Sequence, residues 1–551
     1  MIFLQNLQYE LVYDASGRIL SKRLPSNTGE RVTYAYDNMG QLRKIIAGET
    51  ESEFGYDTDS GTLDSVITRI GHRFNMRTKN KYHSGLLKEQ KIIFLGSSSP
   101  DFDNAVFRYQ YDGNGRPSVL ISGLGDGSDQ QQTYSTTYNS YTGQPDVLDS
   151  GVRVIRKEEN KTVLQDTSIG YFKSTEVDGN GRPARIIYGL KHKEMLNLHI
   201  RYNSKNLISS VSTQNHEGRP SEEHYEYTGD GHLNKVSGPD NYQYRYDENG
   251  NLLGRSSGTQ QNVLQYDNGD RIERISRGGS LAGSGRNLRV IYDPVTGCVS
   301  KVGDKRSFWH DSHGRLVQLV AKDGGNGESV RVYFHHDHMG RISAWTESRN
   351  KASTRNGGIP NIDRSVKQFF YADVNHPNRL THFHNPKIGL TQRLLYDDLG
   401  HLMAIETKDE KMFVATGHDG SPLLLYREDG KIVKEIKYSP FGQVIRDTNP
   451  SLILPIGYRG GIVLPYTEKL TLFNPKSIIY TPILYFMPNE KFRVYDAEIT
   501  QWLTPDWESL VSPKLNELVS PLQLFPYRFV NNDPINAKHP YHHDAMGTNR
   551  F

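Results

Sequence analysis

Apolar and polar residues alternate in short runs along most of the chain, and turns containing Asp and Gly separate these runs. Tyr34 and Tyr36 are followed directly by Asp37 and then by Gly40. Residues two apart lie on the same face of a strand, so the two tyrosines share one face. Asp favours the first position of a type I turn, and Gly supplies the positive φ that closes a hairpin. The pattern therefore predicts a β-hairpin.

The same phrase recurs along the chain, and consecutive copies are about 20 residues apart. Further copies are Tyr13-Asp14 with Gly17, Tyr56-Asp57 with Gly61, Tyr111-Asp112 with Gly115, Tyr227 with Gly231, Tyr246-Asp247 with Gly250, Tyr266-Asp267, and Tyr292-Asp293 with Gly297. A single hairpin cannot bury its own face, so such units must stack on their neighbours. The repeats therefore predict an all-β array of hairpins.

Two stretches rich in Gly, Ser and Asn, residues 269–288 and 351–364, predict long loops. After about residue 435 the phrase gives way to different sequence, including Arg493-Val494-Tyr495-Asp496. Because a repeat array needs a terminal unit with a different outer face, we predict a closing segment there. The predicted division is a repeat shell over 1–435, a closing segment over 436–540 and a tail over 541–551.

Composition excludes several functional classes. The chain carries 66 Lys and Arg against 63 Asp and Glu, a net charge of +3, which excludes a mainly electrostatic nucleic-acid binder. No apolar run is long enough for a spanning helix. The single cysteine, Cys298, excludes internal disulfides and four-cysteine zinc sites. The short basic cluster of Arg77, Lys79 and Lys81 is interpreted as a solvated face.

Candidate chemical groups have structural interpretations as well. His335-His336-Asp337-His338 suggests metal ligands, but it falls on a repeat turn and adjacent strand residues point to opposite faces, so hairpin structure is favoured. A metal site is not favoured at His542-His543-Asp544 either. No metal or other cofactor is expected. Asn160-Lys161-Thr162 is the one N-glycosylation sequon, and Asn160 is an acceptor if the chain is extracellular.

The sequence lacks the glycine-rich, zinc-protease and nucleophile-elbow motifs, so no catalytic centre is expected. The recurrent tyrosines have two interpretations. Exposed aromatic rings stack sugars or bases, whereas rings at strand spacing in every repeat pack hairpin against hairpin. The packing interpretation is favoured.

At this point a family resemblance becomes specific. The repeats resemble YD (Rhs-type) repeats, and the closing segment resembles the Rhs-associated core. The phrases over Phe369–His382, Tyr396–Ala404 and Pro526–Pro534 look like the corresponding stretches of animal teneurins. The resemblance extends over residues 10 to 536, nearly the whole chain.

The resemblance implies a spiral of hairpins that forms part of a large hollow barrel, closed by a plug. It also implies an extracellular adhesion module of a single-pass type II membrane protein, whose anchor is not in this chain. The implied partners are other teneurin chains and latrophilin-type receptors, in neuronal development and axon guidance. Neither nucleic acid nor direct membrane contact by this segment is expected.

Residues 464–490 depart from the family pattern and are interpreted as an insertion or an imperfect gene model. Asp533-Pro534 resembles the region where bacterial Rhs proteins cleave themselves, but the DPxG pattern is absent, so self-cleavage is not expected. Two alternative functions remain open: a bacterial-type Rhs shell that encloses a toxin, and a carbohydrate-binding aromatic surface.

Overall fold

The computed structural model describes thirteen stretches of the chain: residues 10–23, 31–95, 102–125, 131–148, 151–157, 160–258, 260–278, 287–322, 329–350, 362–465, 467–471, 478–506 and 526–536. The chain forms two compact units, each built from two segments. The first unit contains Met1–Tyr138 and Tyr292–Arg393, and the second contains Asn139–Ile291 and Leu394–Phe551.

Nearly all regular structure in the described residues is β-strand. The first strands are β1 (Glu10–Tyr13), β2 (Ile19–Arg23), β3 (Val32–Tyr36), β4 (Leu42–Ala47), β5 (Thr50–Tyr56), β6 (Leu63–Ile70), β7 (Phe74–His83), β8 (Leu86–Phe94), β9 (Ala105–Tyr111), β10 (Pro117–Leu124), β11 (Gln132–Ser135), β12 (Thr137–Tyr138), β13 (Pro145–Val147), β14 (Arg153–Lys157), β15 (Lys161–Asp166), β16 (Tyr171–Val177), β17 (Pro183–Leu190), β18 (Lys193–Tyr202), β19 (Ile208–Asn215), β20 (Pro220–Tyr227), β21 (Leu233–Ser237), β22 (Tyr242–Tyr246) and β23 (Leu252–Ser257).

The remaining strands follow in chain order. They are β24 (Gln260–Tyr266), β25 (Ile272–Gly278), β26 (Leu288–Tyr292), β27 (Val299–Val302), β28 (Arg306–His310), β29 (Leu316–Lys322), β30 (Ser329–His336), β31 (Ile342–Asn350), β32 (Ile362–Phe370), β33 (His382–Asn385), β34 (Leu390–Tyr396), β35 (Leu402–Glu406), β36 (Lys411–Thr416), β37 (Pro422–Arg427), β38 (Ile432–Tyr438), β39 (Val444–Asp447), β40 (Ile462–Val463), β41 (Thr467–Thr471), β42 (Ile478–Pro482), β43 (Leu484–Met487), β44 (Arg493–Asp496) and β45 (Gln501–Trp502). Short 3-10 turns occur at Pro386–Ile388, Tyr458–Gly460 and Val530–Asn532.

Neighbouring strands pair antiparallel in chain order within each unit. In the first unit β1 to β11 form one sheet whose strands follow chain order. Strands β27 to β33 also pair with one another in chain order. In the second unit β13 to β26 and β35 to β39 follow chain order, and a small sheet has the order β40-β43-β44-β45. The predicted all-β class and hairpin repeat are thus confirmed.

Alternation of side chains explains which face of each strand is buried. Strand β9 buries Ala105, Phe107 and Tyr109, while the intervening Val106 and Arg108 are half-exposed. This period of two is what a sheet with one face on a core requires. The buried side chains of β9 pack against Phe370 and Ala372 of the same unit.

The predicted loop over 269–288 is wrong in its first half. Residues 272–278 form β25, because Ile272 and Ile275 are buried and the strand pairs with β24. Residues 279–286 lie outside the described part, as do 351–361 of the second predicted loop. Within the described residues, no helix has the length and apolar character needed to cross a membrane.

The stretch that departs from the family pattern takes part in the core. Leu484, Tyr485, Phe486 and Met487 form β43 and are buried, and β43 pairs with β40 and β44. The side chains of residues 466–482 lie outside the described part. The apolar end of this stretch is therefore a central strand of the closing segment.

Candidate functional site: the repeat ladder and the closing strap

Many repeat turns are organised by an Asp carboxylate at their first position. In the turn that starts at Asp178, Oδ1 accepts hydrogen bonds from the backbone N–H of Asn180 at 2.9 Å and of Arg182 at 3.0 Å. Arg182 Nε donates to Oδ2 at 2.8 Å. The carboxylate therefore satisfies turn N–H groups and holds the guanidinium, as expected for Asp at this position. These bonds lower the pKa of Asp178, mainly through the side chain and backbone of Arg182.

In several turns an Arg guanidinium connects the turn to the next repeat. Arg182 Cζ lies 4.0 Å from the centre of the Tyr202 ring, within the range of a cation–π contact. Arg182 Nη1 also donates to Asn206 in the following turn at 2.8 Å. The same stacking occurs for Arg18 on Tyr36, Arg116 on Tyr138 and Arg341 on Tyr371.

The tyrosine hydroxyl completes the connection. Tyr202 donates to the backbone carbonyl of Pro183, in the return strand of the preceding hairpin, at 2.9 Å. Burial raises the pKa of Tyr202 to about 12. Equivalent bonds to the preceding return strand are made by Tyr36, Tyr56, Tyr111, Tyr138, Tyr227, Tyr246, Tyr266 and Tyr371. These tyrosines form a packing ladder between hairpins.

Few large aromatic side chains point into solvent on the described residues. Tyr141 of the second unit is 96% exposed, and Tyr13 and Trp309 of the first unit are 52% and 46% exposed. A carbohydrate site needs several rings on one surface, and the ladder uses the recurrent tyrosines elsewhere. Two small cavities, one in each unit, each measure about 30 Å³, the space of a single water rather than of a ligand.

The closing segment of the second unit is built on an aromatic cluster. Tyr458, Tyr485, Tyr495, Trp502 and Phe529 are all buried there. The rings of Tyr495 and Phe529 stack with their centres 3.6 Å apart. Tyr495 and Tyr485 donate to backbone carbonyls in the turn before β39, each at 2.9 Å. The cluster fixes the closing segment onto the last hairpin of the ladder.

Residues 526–536, here called the closing strap, run across repeat turns of the second unit. Arg528 donates to the carbonyl of Asn249 at 2.6 Å, and Asn532 donates to the carbonyl of Gly250 at 2.7 Å. His232 Nδ1 donates to the carbonyl of Asn531 at 2.9 Å. Burial lowers the pKa of His232, although the Asn531 carbonyl acts in the opposite direction.

The far end of the strap is bound in the same manner. Asn536 Oδ1 accepts a hydrogen bond from the backbone N–H of Ile208 at 2.6 Å. Arg459 Nη1 donates to the carbonyl of Pro534 at 3.1 Å, and His418 Nε2 donates to that of Ile535 at 3.0 Å. The side chains of Arg459 and His418 therefore satisfy carbonyls of the strap, and a strap side chain satisfies the backbone N–H of Ile208.

Among the described residues other than glycine, more than half of those with left-handed backbone lie in the closing segment. Val530, Asn531 and Asn532 have φ values of 41°, 55° and 57°, and Arg459 has a φ of 51°. Such conformations are unfavourable by roughly 1–3 kcal/mol each for residues other than glycine and persist only where surrounding contacts impose them. The strap contacts supply that constraint.

The His335–His338 stretch is placed on a repeat turn, as the hairpin interpretation requires. Its histidines serve as core side chains: the His335 ring stacks on Phe74 with ring centres 4.4 Å apart, and His338 meets the edge of Phe54. Burial lowers the pKa of His335 to about 3, with a further contribution from Arg73. The described residues contain no group of His, Cys, Asp and Glu suited to a metal ion. His542-His543-Asp544 lies outside them.

Asp533, the residue considered for self-cleavage, accepts hydrogen bonds from the side-chain amide of Asn536. Asn536 Nδ2 lies 3.0 Å from each carboxylate oxygen of Asp533. Burial raises the pKa of Asp533, and the bonds from Asn536 oppose this rise. These contacts fold the end of the strap into a turn.

Asn160 lies in the turn that leads into β15, and its side chain is exposed. Its backbone carbonyl accepts a hydrogen bond from Val177 N–H at 2.8 Å, so the sequon is fixed by the sheet. Glycosylation at Asn160 stays a prediction.

Comparison with known proteins identifies the family. The model of the teneurin YD-shell matches residues 2–535. The chain belongs to the teneurin YD-shell family. The resemblance read from the repeat phrases is confirmed.

Curated teneurins show the same relationship. The chain is 32% identical to Teneurin-m of Drosophila melanogaster over 534 residues, which covers 97% of this chain and 17% of that protein. It is 26% identical to Teneurin-3 of Danio rerio, over 97% of this chain and 18% of that protein. The chain thus spans less than a fifth of the length of these relatives.

Solved structures agree in fold. A structure of the Tc holotoxin pore of Photorhabdus luminescens is similar, with a TM-score of 0.58 and 13% identity. The match covers 100% of this chain and 28% of the toxin chain. A crystal structure of TcdB2-TccC3 without its hypervariable C-terminal region matches 97% of this chain and 28% of that one, with a TM-score of 0.55 and 13% identity. At this identity the likeness concerns the fold alone.

Proposed function

We propose that this chain is an extracellular adhesion and scaffold module of a teneurin-like cell-surface protein, with no catalytic activity. Membership of the teneurin YD-shell family is the observation that carries the proposal. The proposed partners are other teneurin chains and latrophilin-type receptors, and the proposed setting is cell–cell recognition in neuronal development and axon guidance.

The architecture supports a scaffolding function. Arg182 and Tyr202 show how each turn is fixed to the next repeat by stacking and by a hydrogen bond to backbone. A repeat array built in this way holds its loops in constant relative positions, which favours recognition by preformed surfaces. The proposal needs no ligand-sized cavity, and the two cavities described hold about one water each.

The proposal is tested by displaying the 551-residue chain on non-adherent cells through an added membrane anchor. We expect these cells to aggregate with one another or with cells that display a latrophilin-type ectodomain. Cells displaying a different β-repeat protein at matched surface density are the control. Absence of both kinds of aggregation, with the chain folded and exposed, would refute the proposal.

The bacterial toxin-shell alternative has only a likeness of fold at 13% identity behind it, and we do not propose it.

A further inference from the structure

One face of strands β7 to β9 in the first unit gathers positive charge that is scattered in the sequence. Arg77, Lys79 and Lys81 occupy alternate positions of β7 and so share the face that points away from the core. Lys91 of β8 lies directly opposite Lys79, and Arg108 of β9 lies beside β8 on the same face. We call these five residues the basic face.

A single carboxylate, Glu89, occurs on this face of the three strands. Arg108 Nε lies 2.9 Å from it, Lys81 Nζ 3.4 Å and Lys91 Nζ 3.6 Å. Burial raises the pKa of Glu89, but the bond from Arg108 and the charges of both lysines outweigh burial and lower it overall. Among the described residues, Arg77 and Lys79 form no ion pair.

The neighbouring strands show the opposite arrangement and so provide an internal comparison. Lys44 lies 3.1 Å from Glu51 and 3.5 Å from Glu53, and Arg69 lies 2.9 Å and 2.8 Å from the same two carboxylates. Charges there are balanced two against two. The whole chain carries only +3, so the excess on the basic face does not follow from a generally basic composition.

The pairing of Lys79 with Lys91 is unfavourable in the isolated unit. Like charges directly opposite one another on antiparallel strands destabilise a sheet. Glu89, 3.6 Å from Lys91, offsets part of this repulsion, but Lys79 forms no ion pair among the described residues. An approaching anionic group would remove this cost.

Apolar side chains lie among the cations. Ile67 and Ile93 flank Arg77 on either side in register, and Ile121 lies opposite Arg108. All three are half-buried, so part of each side chain remains open to a partner. Basic groups interleaved with apolar area suit a protein surface, whereas a flexible polyanion would use the charges alone.

We propose that the basic face is a docking surface for a partner protein that presents carboxylates together with apolar side chains. The inference rests on the proposed function only in that an adhesion module needs a face that binds a partner. The five cations, the single carboxylate among them and the interleaved isoleucines are what carry it. Charge complementarity of this type speeds association and selects the partner.

The test measures binding of a fluorescent twelve-residue peptide of alternating Glu and Val to the 551-residue chain at low ionic strength. The matched variants are Lys79→Gln with Lys91→Gln on the basic face, and Lys44→Gln with Arg69→Gln on the balanced neighbouring strands. We expect roughly tenfold weaker binding for the first pair and less than a twofold change for the second. Thermal unfolding midpoints establish that both variants fold.

Three results would overturn the inference. They are no saturable binding of the peptide, equal weakening by both pairs of substitutions, and equal binding of a Glu-Gly peptide or a sulfated polysaccharide. The last would assign the face to polyanions in general. Because the cell-aggregation assay is separate, loss of peptide binding with aggregation intact would refute this inference and leave the proposed function standing.

Discussion

The guanidinium of Arg182 lies over the ring of Tyr202 at 4.0 Å while its Nε donates to Asp178 at 2.8 Å. One side chain thus closes its own turn and packs the next hairpin. Tyr202 in turn donates to the backbone carbonyl of Pro183. The repeat phrase, with its aromatic residue, Asp, Gly and Arg, describes this three-part contact.

Arg182→Lys should reduce the free energy of unfolding by about 1 kcal/mol, because lysine loses the two bonds from Nε and Nη2 to Asp178 Oδ2 and the planar stacking on Tyr202. Arg201→Lys is the control, since the Arg201 side chain is 73% exposed and lies 3.5 Å from Glu222. The control should change stability by less than about 0.5 kcal/mol. Urea unfolding measures both, and equal effects would contradict the ladder.

Gly250→Ala should destabilise the second unit more than Gly181→Ala. Both glycines have positive φ, 77° and 75°, so both substitutions carry the same backbone strain. A Cβ at position 250 would lie 2.6 Å from His232 Nε2, whereas at position 181 it would meet nothing within 4 Å. Replacement by valine at 250 should be worse still, because β-branching resists positive φ. Thermal midpoints of the variants check this, and identical midpoints would refute the clash.

The free energy of unfolding should fall as the solution is acidified below pH 6.5. His335 has a folded-state pKa of about 3 against an ordinary 6.5, so the unfolded chain takes up the proton first. Its contribution is fully present above pH 6.5 and is lost at about 1.4 kcal/mol per pH unit as the pH falls toward 3. His382 has a similar pKa, about 3, because of its burial and Arg393.

His335→Phe should flatten this pH dependence, since phenylalanine keeps the stacking on Phe74 and has no proton to bind. Comparing thermal midpoints at pH 7.5 and 5.5 measures the effect. His83→Phe is the control because His83 is exposed on β7. If the pH dependence of stability is unchanged in His335→Phe, His335 is not its source.

Lys173→Met should be strongly destabilising, by about 3–5 kcal/mol. Lys173 and Asp397 form a buried ion pair in the second unit, with side chains 1% and 2% exposed. Burial disfavours the ammonium, but the charge of Asp397 outweighs it and raises the pKa of Lys173. Removing the lysine leaves Asp397 charged and buried.

Adding Asp397→Asn to Lys173→Met should recover part of the loss. An amide at 397 still accepts the turn bonds from Leu399 and His401 N–H but carries no charge. A double variant as unstable as the single one in a chemical denaturation series would show that the charge is not the cause.

Asn160 should carry one N-linked glycan when the chain is secreted from eukaryotic cells, because the sequon is exposed. Asn160→Gln should remove a single mobility step on gels, and Thr162→Ser should retain it. A wild-type chain that enzymatic deglycosylation leaves unchanged would contradict the prediction.

The sequence was sufficient for the hairpin, since each Tyr–Asp–Gly phrase carries its own turn and strand period. Tyr36, Asp37 and Gly40 could be assigned structural positions without neighbours. The loop predicted over 269–288 is wrong for residues 272–278. The stretch is mostly polar, and its two isoleucines, Ile272 and Ile275, are three apart, which gives no clear strand period. Only pairing with β24 makes 272–278 a strand.

The strap could not be derived from sequence. Asn531 and Asn532 are of a residue type that favours turns. Their left-handed backbone, however, is imposed by contacts with His232 and Gly250, which lie about 280–300 residues earlier in the chain. Local propensity contains no information about such distant partners.

By itself, the sequence determined the all-β class, the hairpin repeat and the family, because these depend on contacts within one repeat or between consecutive ones. Tertiary structure alone decided where β7, β8 and β9 bring their cations together, which histidines become core residues, and how the strap is held. Those features arise between residues far apart in sequence, where burial and cross-strand register, rather than local pattern, set the energy.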